Sequence, residues 1–188
     1  MTLEASIWFP TLIWQDKLDI DLSSVVDGVM KLKSASDGVK ITNFGGWQSE
    51  SQSSWGIAKD IGKNIDSHMN EIAKQTQLPE LKLNNFWYNV NTFGDYNTLH
   101  NHRGSIFSGV FYIDVPDTNM GNINFERGDD IAYYMPPLEK YNNFTGERAS
   151  YGPETGKLII FPSWLKHSVD GCRSKKNRIS MSFNYGIK

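Results

Sequence analysis

The chain has 188 residues, 39% of them apolar and 13% aromatic, with a formal charge of −2 and one cysteine. That length suits one domain spanning 1–188, able to bury roughly 70% of its unfolded surface, and the near-neutral charge argues against nucleic acid as a partner. A lone Cys172 excludes an internal disulfide and suits a reducing, cytoplasmic setting, while no apolar run approaches the ~18 residues of a membrane span.

A core this rich in rings fits sheets better than a helical bundle. Residues 6–18 hold β-formers interrupted by Pro10, which predicts an edge or bulged strand. Apolar positions at 22, 25, 26, 29, 30 and 32 predict a helix over Leu22 to Lys33, with Asp21 or Ser23 as its cap. Residues 34–54, dense in Gly, Ser, Asn and Asp around Gly45-Gly46-Trp47, read as a loop or lid. Ile57, Ile61, Ile65, Met69 and Ile72 then mark a helix over Trp55 to Gln75 after a Ser53-Ser54 cap, ended by Leu78-Pro79. His68 on that helix reads as a boundary residue. These elements form an N-terminal part, 1–82.

From Leu83 the period changes to two, with Trp87, Asn89 and Asn91 on one side and Phe86, Tyr88 and Val90 on the other. Further strands are expected at Ser105 to Val115, Gly121 to Glu126 and Gly156 to Pro162, with residues 127–155 as an insertion near the mouth of a site. In the last strand Arg178, Ser180, Ser182 and Asn184 share one face; Ile179, Met181, Phe183 and Tyr185 share the other. A polar face lining an interior is costly unless it meets a ligand. Trp87 and Trp164 read as core.

Two of the four histidines, His100 and His102, bracket Asn101, and in extended backbone residues i and i+2 point the same way. With His167 downstream they form the pattern of a mononuclear metal site, and neutral imidazole suits ferrous iron, zinc, copper or nickel. Arg178 offers a permanently charged fork matched to a carboxylate, and Ser180 adds a hydroxyl. Together they suit the far end of a small dicarboxylic acid. If that acid is 2-oxoglutarate, its other end can chelate iron and leave one position for dioxygen.

The ordered set N-x-x-H-x-H, S-G-V-F-Y, G-x-x-x-F, F-P-S-W-L-x-H and R-I-S-x-S-F-N resembles the Fe(II)/2-oxoglutarate oxygenases related to prolyl hydroxylases. The resemblance covers roughly residues 84 to 186. It implies a mainly β fold with flanking helices, a double-stranded β-helix or cupin-like jelly roll, with its core in 83–188. It also implies Fe(II) as cofactor, 2-oxoglutarate as cosubstrate, dioxygen, and a small-molecule or peptide substrate that is hydroxylated as 2-oxoglutarate becomes succinate.

On that resemblance His100 takes the first-histidine position, His167 the distal one, and Arg178 with Ser180 the 2-oxoglutarate carboxylate site; Asn89, Asn91 and Tyr112 fall in the cofactor pocket. His102 departs from the pattern, because the family usually has Asp or Glu there. Three readings stay open: a face of three histidines, which is preferred; His102 outside the metal shell; or a carboxylate supplied by Glu126 or Asp129. The rival functions are a non-catalytic, metal-containing jelly roll that binds a ligand, and a three-histidine cupin-type dioxygenase that uses no 2-oxo acid. No membrane partner is expected, and a homodimer is left open.

Overall fold

The computed structural model describes residues 3–130, 134 and 136–188. In chain order it gives β1 (Trp14–Lys17), α1 (Ser23–Ala35), β2 (Asn43–Phe44), β3 (Trp47–Gln48), a 3₁₀ turn (Gly56–Ala58), α2 (Lys59–Thr76), β4 (Leu81–Asn91), β5 (Tyr96–His100), β6 (Phe107–Asp114), β7 (Ile123–Glu126), β8 (Arg148–Tyr151), β9 (Lys157–Pro162), β10 (His167–Val169) and β11 (Arg178–Ile187). The strands form two antiparallel sheets that face each other as in a jelly roll. The larger has the order β1-β9-β6-β11-β4-β3, and the smaller β2-β5-β10-β7-β8.

The alternation along β11 decides which side of the large sheet is covered. Ile179, Met181, Phe183 and Tyr185 pack with Val25 and Val29 of α1 and with Ile61, Ile65, Met69 and Ile72 of α2. On the opposite side Val110, Tyr112, Ile159 and Phe161 meet Ile123 and Phe125 of the small sheet. Burying a Phe or Ile side chain is worth roughly 1.5–3 kcal/mol. The helical side therefore carries much of the stability.

Local chemistry sets the element ends. The N-cap of α1 is Leu22, which has no capping side chain, and Asp21 just before it accepts from the Ser23 backbone N–H through Oδ1 at 3.0 Å. The longer helix departs from its predicted start, since Ser53 and Ser54 do not cap it and regular helix begins at Lys59. Gly56, at φ +48°, interrupts the helical backbone. Trp55 is instead held as a side chain, stacked on Phe86 at 4.9 Å and donating its indole N–H to Asp66 at 3.1 Å. At the other end Gln77, in the left-handed region, returns its N–H to carbonyls of the last turn, as helix-ending residues do.

One further sequence expectation is corrected. Residues 34–54 are no free loop, because β2 pairs with β5 of the small sheet and β3 with β4 of the large one. The segment is a strap between the sheets. Gly45 and Gly46 permit the crossing: Gly45 has φ +86°, and a Cβ on Gly46 would strike the Asn91 side chain. The 127–155 stretch, of which 131–133 and 135 lie outside the described residues, closes with β8, which pairs with β7. The predicted edge strand is present as β1, bonded on one side to β9. Cys172 is buried and unpaired. Among the described residues no helix is long and apolar enough to cross a membrane.

Candidate active site

Strand β10 lies between β5 and β7, and its first residue, His167, pairs with His100 on one side and Phe125 on the other. From there the pairing jumps to Val169 opposite Asn97, so four residues of β5 answer three of β10. This bulge turns both Asn97 and His100 towards the interior, where strict alternation would allow only one. His102 lies past the end of β5. Its backbone N–H is tied to the Ser163 carbonyl at 3.0 Å, which brings its ring back over the cavity.

The three imidazoles converge, each offering one ring nitrogen within 4.8 Å of the others. The Nε2 atoms of His102 and His167 are 3.2 Å apart. The Nδ1 of His100 faces the Thr98 carbonyl at 2.7 Å, and that of His167 the Leu165 carbonyl at 3.0 Å. Each carbonyl fixes a proton on Nδ1 and leaves Nε2 as a lone-pair donor. Burial pushes the His167 pKa down to about 3, aided by the charge of His100, and that of His102 to about 4 for the same reasons. His100 is lowered by burial too. Neutral imidazole is the form that binds metal, so the donor set fits a first-row divalent ion.

Arg178, at the start of β11, is 3% exposed. Its Nη1 donates to the carbonyls of Met120 (2.7 Å) and Gly121 (3.0 Å), and its Nη2 to Asn91 Oδ1 (3.0 Å). A guanidinium has five N–H donors, so two remain, on Nε and Nη2. Nε is buried with no partner among the described residues. The side chain lines the cavity that also holds the three imidazoles, Tyr112 and Ser180. A buried cation with two unused donors is the arrangement a carboxylate completes, so these residues fit 2-oxoglutarate as well as iron. Gly121 permits this anchoring: it has φ +87°, and a Cβ there would strike the Asp170 carbonyl and press on Nη1.

Of the predicted pocket residues, Asn89, Tyr112 and Ser180 line the cavity. Asn91 instead holds Arg178 from behind. The carboxylates lie elsewhere: Glu126 is paired with Arg148 at 2.6 Å and Asp129 with Arg127 at 2.5 Å. Among the described residues neither joins the imidazole cluster. His68 is remote, bridging the Asn64 carbonyl and Asp16. Trp87 is no core residue, because it lines the cavity and lies parallel to the His102 ring at 5.6 Å. Trp164 is 57% exposed. Sequence reading missed Thr42, Gln48 and Asn97, which also line the cavity. The first two sit on a strap too short to show a period, and Asn97 is turned inwards by the bulge.

A double-stranded β-helix with an imidazole cluster beside a buried, carboxylate-seeking arginine defines a class of metal-dependent oxygenases. Residues 85–184 match a family model described as "Putative 2OG-Fe(II) oxygenase". That is more than half of the sequence, and the chain belongs to this family of 2-oxoglutarate-dependent non-haem iron oxygenases. Solved structures agree on the fold. A prolyl-4-hydroxylase from Pseudomonas putida is 14% identical with a TM-score of 0.64, covering 95% of this chain and 94% of its own. HygX from Streptomyces hygroscopicus, solved with nickel and 2-oxoglutarate, is 13% identical with a TM-score of 0.59, covering 95% and 84%. An oxidoreductase of the 2OG-Fe(II) oxygenase family from Burkholderia pseudomallei is 13% identical with a TM-score of 0.52, covering 69% of this chain, which spans 56% of that longer one. No curated protein matches the sequence.

Proposed function

We propose that residues 1–188 act as one dioxygenase unit that hydroxylates a second substrate, with iron on His100, His102 and His167 and the far carboxylate of 2-oxoglutarate on Arg178. Ferrous iron bound with 2-oxoglutarate supplies the oxidation: one dioxygen is consumed, 2-oxoglutarate leaves as succinate and carbon dioxide, and a C–H of the second substrate becomes C–OH. The observation that carries the reading is the pair of unused Arg178 donors in the cavity that the three imidazoles share.

The remaining work falls to the chain. Thr98 and Leu165 hold the rings of His100 and His167 in one tautomer through their carbonyls. Met120, Gly121 and Asn91 hold the guanidinium so that it need not reorganise when the dicarboxylate arrives. Phe125 and Phe161 flank His167 at 5.9 and 4.7 Å and keep water from that side. No protein nucleophile or general base is required. A reducing, cytoplasmic location suits a ferrous site and the unpaired Cys172.

The test is an anaerobic titration of the metal-free protein with ferrous ion and 2-oxoglutarate, following the visible charge-transfer band of the chelate. Wild type is expected to develop the band, and Arg178→Ala to need far more 2-oxoglutarate for it. Iron bound without a band in wild type contradicts the proposal.

A further inference from the structure

One wall of the cavity carries polar side chains that neither the imidazole cluster nor Arg178 uses, and it begins at the strap. Gln48 pairs across the sheet with Asn89, Asn89 with Ser180, and Ser180 with Tyr112. These four side chains form one row along the cavity wall. At ~4.8 Å per strand the row spans roughly 14 Å. Its Tyr112 end lies beside Arg178, and its Gln48 end lies three strands away.

Gln48 is 5% exposed, and its side-chain amide makes no hydrogen bond to any described residue, although it lines the cavity. Its backbone is fixed, since the carbonyl accepts from Val39 N–H at 2.9 Å and Trp47, on the opposite face, is tied to the Ser36 carbonyl at 2.9 Å. The backbone is held, and the amide is unused. Asn97, which also lines the cavity, spends its NH₂ on Thr42 Oγ1 at 3.2 Å, and its side-chain oxygen has no partner among the described residues. Any molecule that displaces water here must itself supply partners, at a cost of about 1–3 kcal/mol for each group it strands. Arg178 is the one permanently charged side chain among the described lining residues, so a charged group at this end would have no counter-ion.

We infer that Gln48, with Asn97, is the specificity determinant for the prime substrate, and that the group it recognises is an uncharged amide. A carboxamide answers Gln48 with both a donor and an acceptor. The source of that amide is a side-chain carboxamide or a peptide bond. This inference rests on the 2-oxoglutarate reading of the Arg178 end.

The test uses the anaerobic iron and 2-oxoglutarate complex of the full chain and four probes of similar length: hexanamide, N-propylpropanamide, heptan-2-one and hexanoate. Binding is read as a perturbation of the charge-transfer band and, on the zinc-substituted complex, by ligand-observed NMR. An amide is expected to bind about tenfold more tightly than the ketone or the carboxylate, matching one lost hydrogen bond. Preference for hexanamide supports a side-chain carboxamide, and preference for N-propylpropanamide a peptide bond. Gln48→Leu is expected to level amide and ketone, and Gln48→Glu to weaken hexanamide and admit hexylamine. A variant that fails to fold leaves the wild-type panel decisive. If the band forms but no amide perturbs it, or if ketone or carboxylate binds as well as the amides, the inference is overturned while the 2-oxoglutarate reading stands. Absence of the band in wild type overturns both.

Discussion

The two faces of β11 come from the same ten residues yet serve opposite ends. Towards the helices, Ile179, Met181, Phe183 and Tyr185 are each at most 1% exposed and meet mainly carbon. Towards the cavity, Arg178 is as deeply buried but keeps an unpartnered Nε, and Ser180 makes no hydrogen bond to any described residue. A folded protein satisfies nearly all of its buried polar groups. Along β11 the unpartnered groups lie on the cavity face alone, although Tyr88 Oη of β4, packed on the helical side, also has no partner among the described residues. A one-residue slip in register would exchange the two faces.

Substitutions on each face should therefore fail differently. On the helical face Phe183→Ala, which empties a ring-sized space, is expected to cost about 3–5 kcal/mol in urea unfolding, with affinity for 2-oxoglutarate kept in the fraction that stays folded. On the cavity face Arg178→Ala is expected to lose about 2–5 kcal/mol of 2-oxoglutarate binding by calorimetry, with Arg178→Lys recovering part because a point charge replaces the fork. If instead Arg178→Ala left that affinity within twofold, the cavity face would have no claim on the dicarboxylate.

A smaller effect is expected at Gly121, which lies on neither face but sets where Arg178 ends. Gly121→Ala forces a side chain into the left-handed region and against the Asp170 carbonyl, so about 1–3 kcal/mol should be lost, shared between thermal stability and 2-oxoglutarate affinity. The smallest change belongs to Glu126→Gln on the outside of the small sheet. The partly exposed pair with Arg148 is worth about 0–1 kcal/mol, and iron affinity by chelator competition should not move. A tenfold loss of iron there would return that carboxylate to the metal shell.

The contrast between the faces was legible in the sequence because β11 and β4 are long enough to show a period of two. The order of His100, His102, His167 and Arg178 pointed to the site for the same reason: each lies on or just beside a strand. The rule that brought His100 and His102 together was correct in outcome and incomplete in cause. His102 is aimed by its backbone bond to Ser163, far along the chain, and Asn97 by a bulge; neither contact is written in local spacing. The strap was illegible because β2 and β3 have two residues each, and its glycines signal a loop as readily as a crossing. Trp87 was misjudged because composition favours burying an indole, whereas the parity of β4 already put it beside Asn89.

The most direct measurement is X-ray absorption at the iron edge of the anaerobic ferrous protein, comparing wild type with His102→Ala. Scattering from imidazole rings counts the histidine ligands. Three rings in wild type and two in the variant are the predicted result, and they would establish a site in which imidazole stands where a carboxylate is usual. Two rings in both proteins would contradict it, placing His102 outside the metal shell and requiring another ligand in its stead.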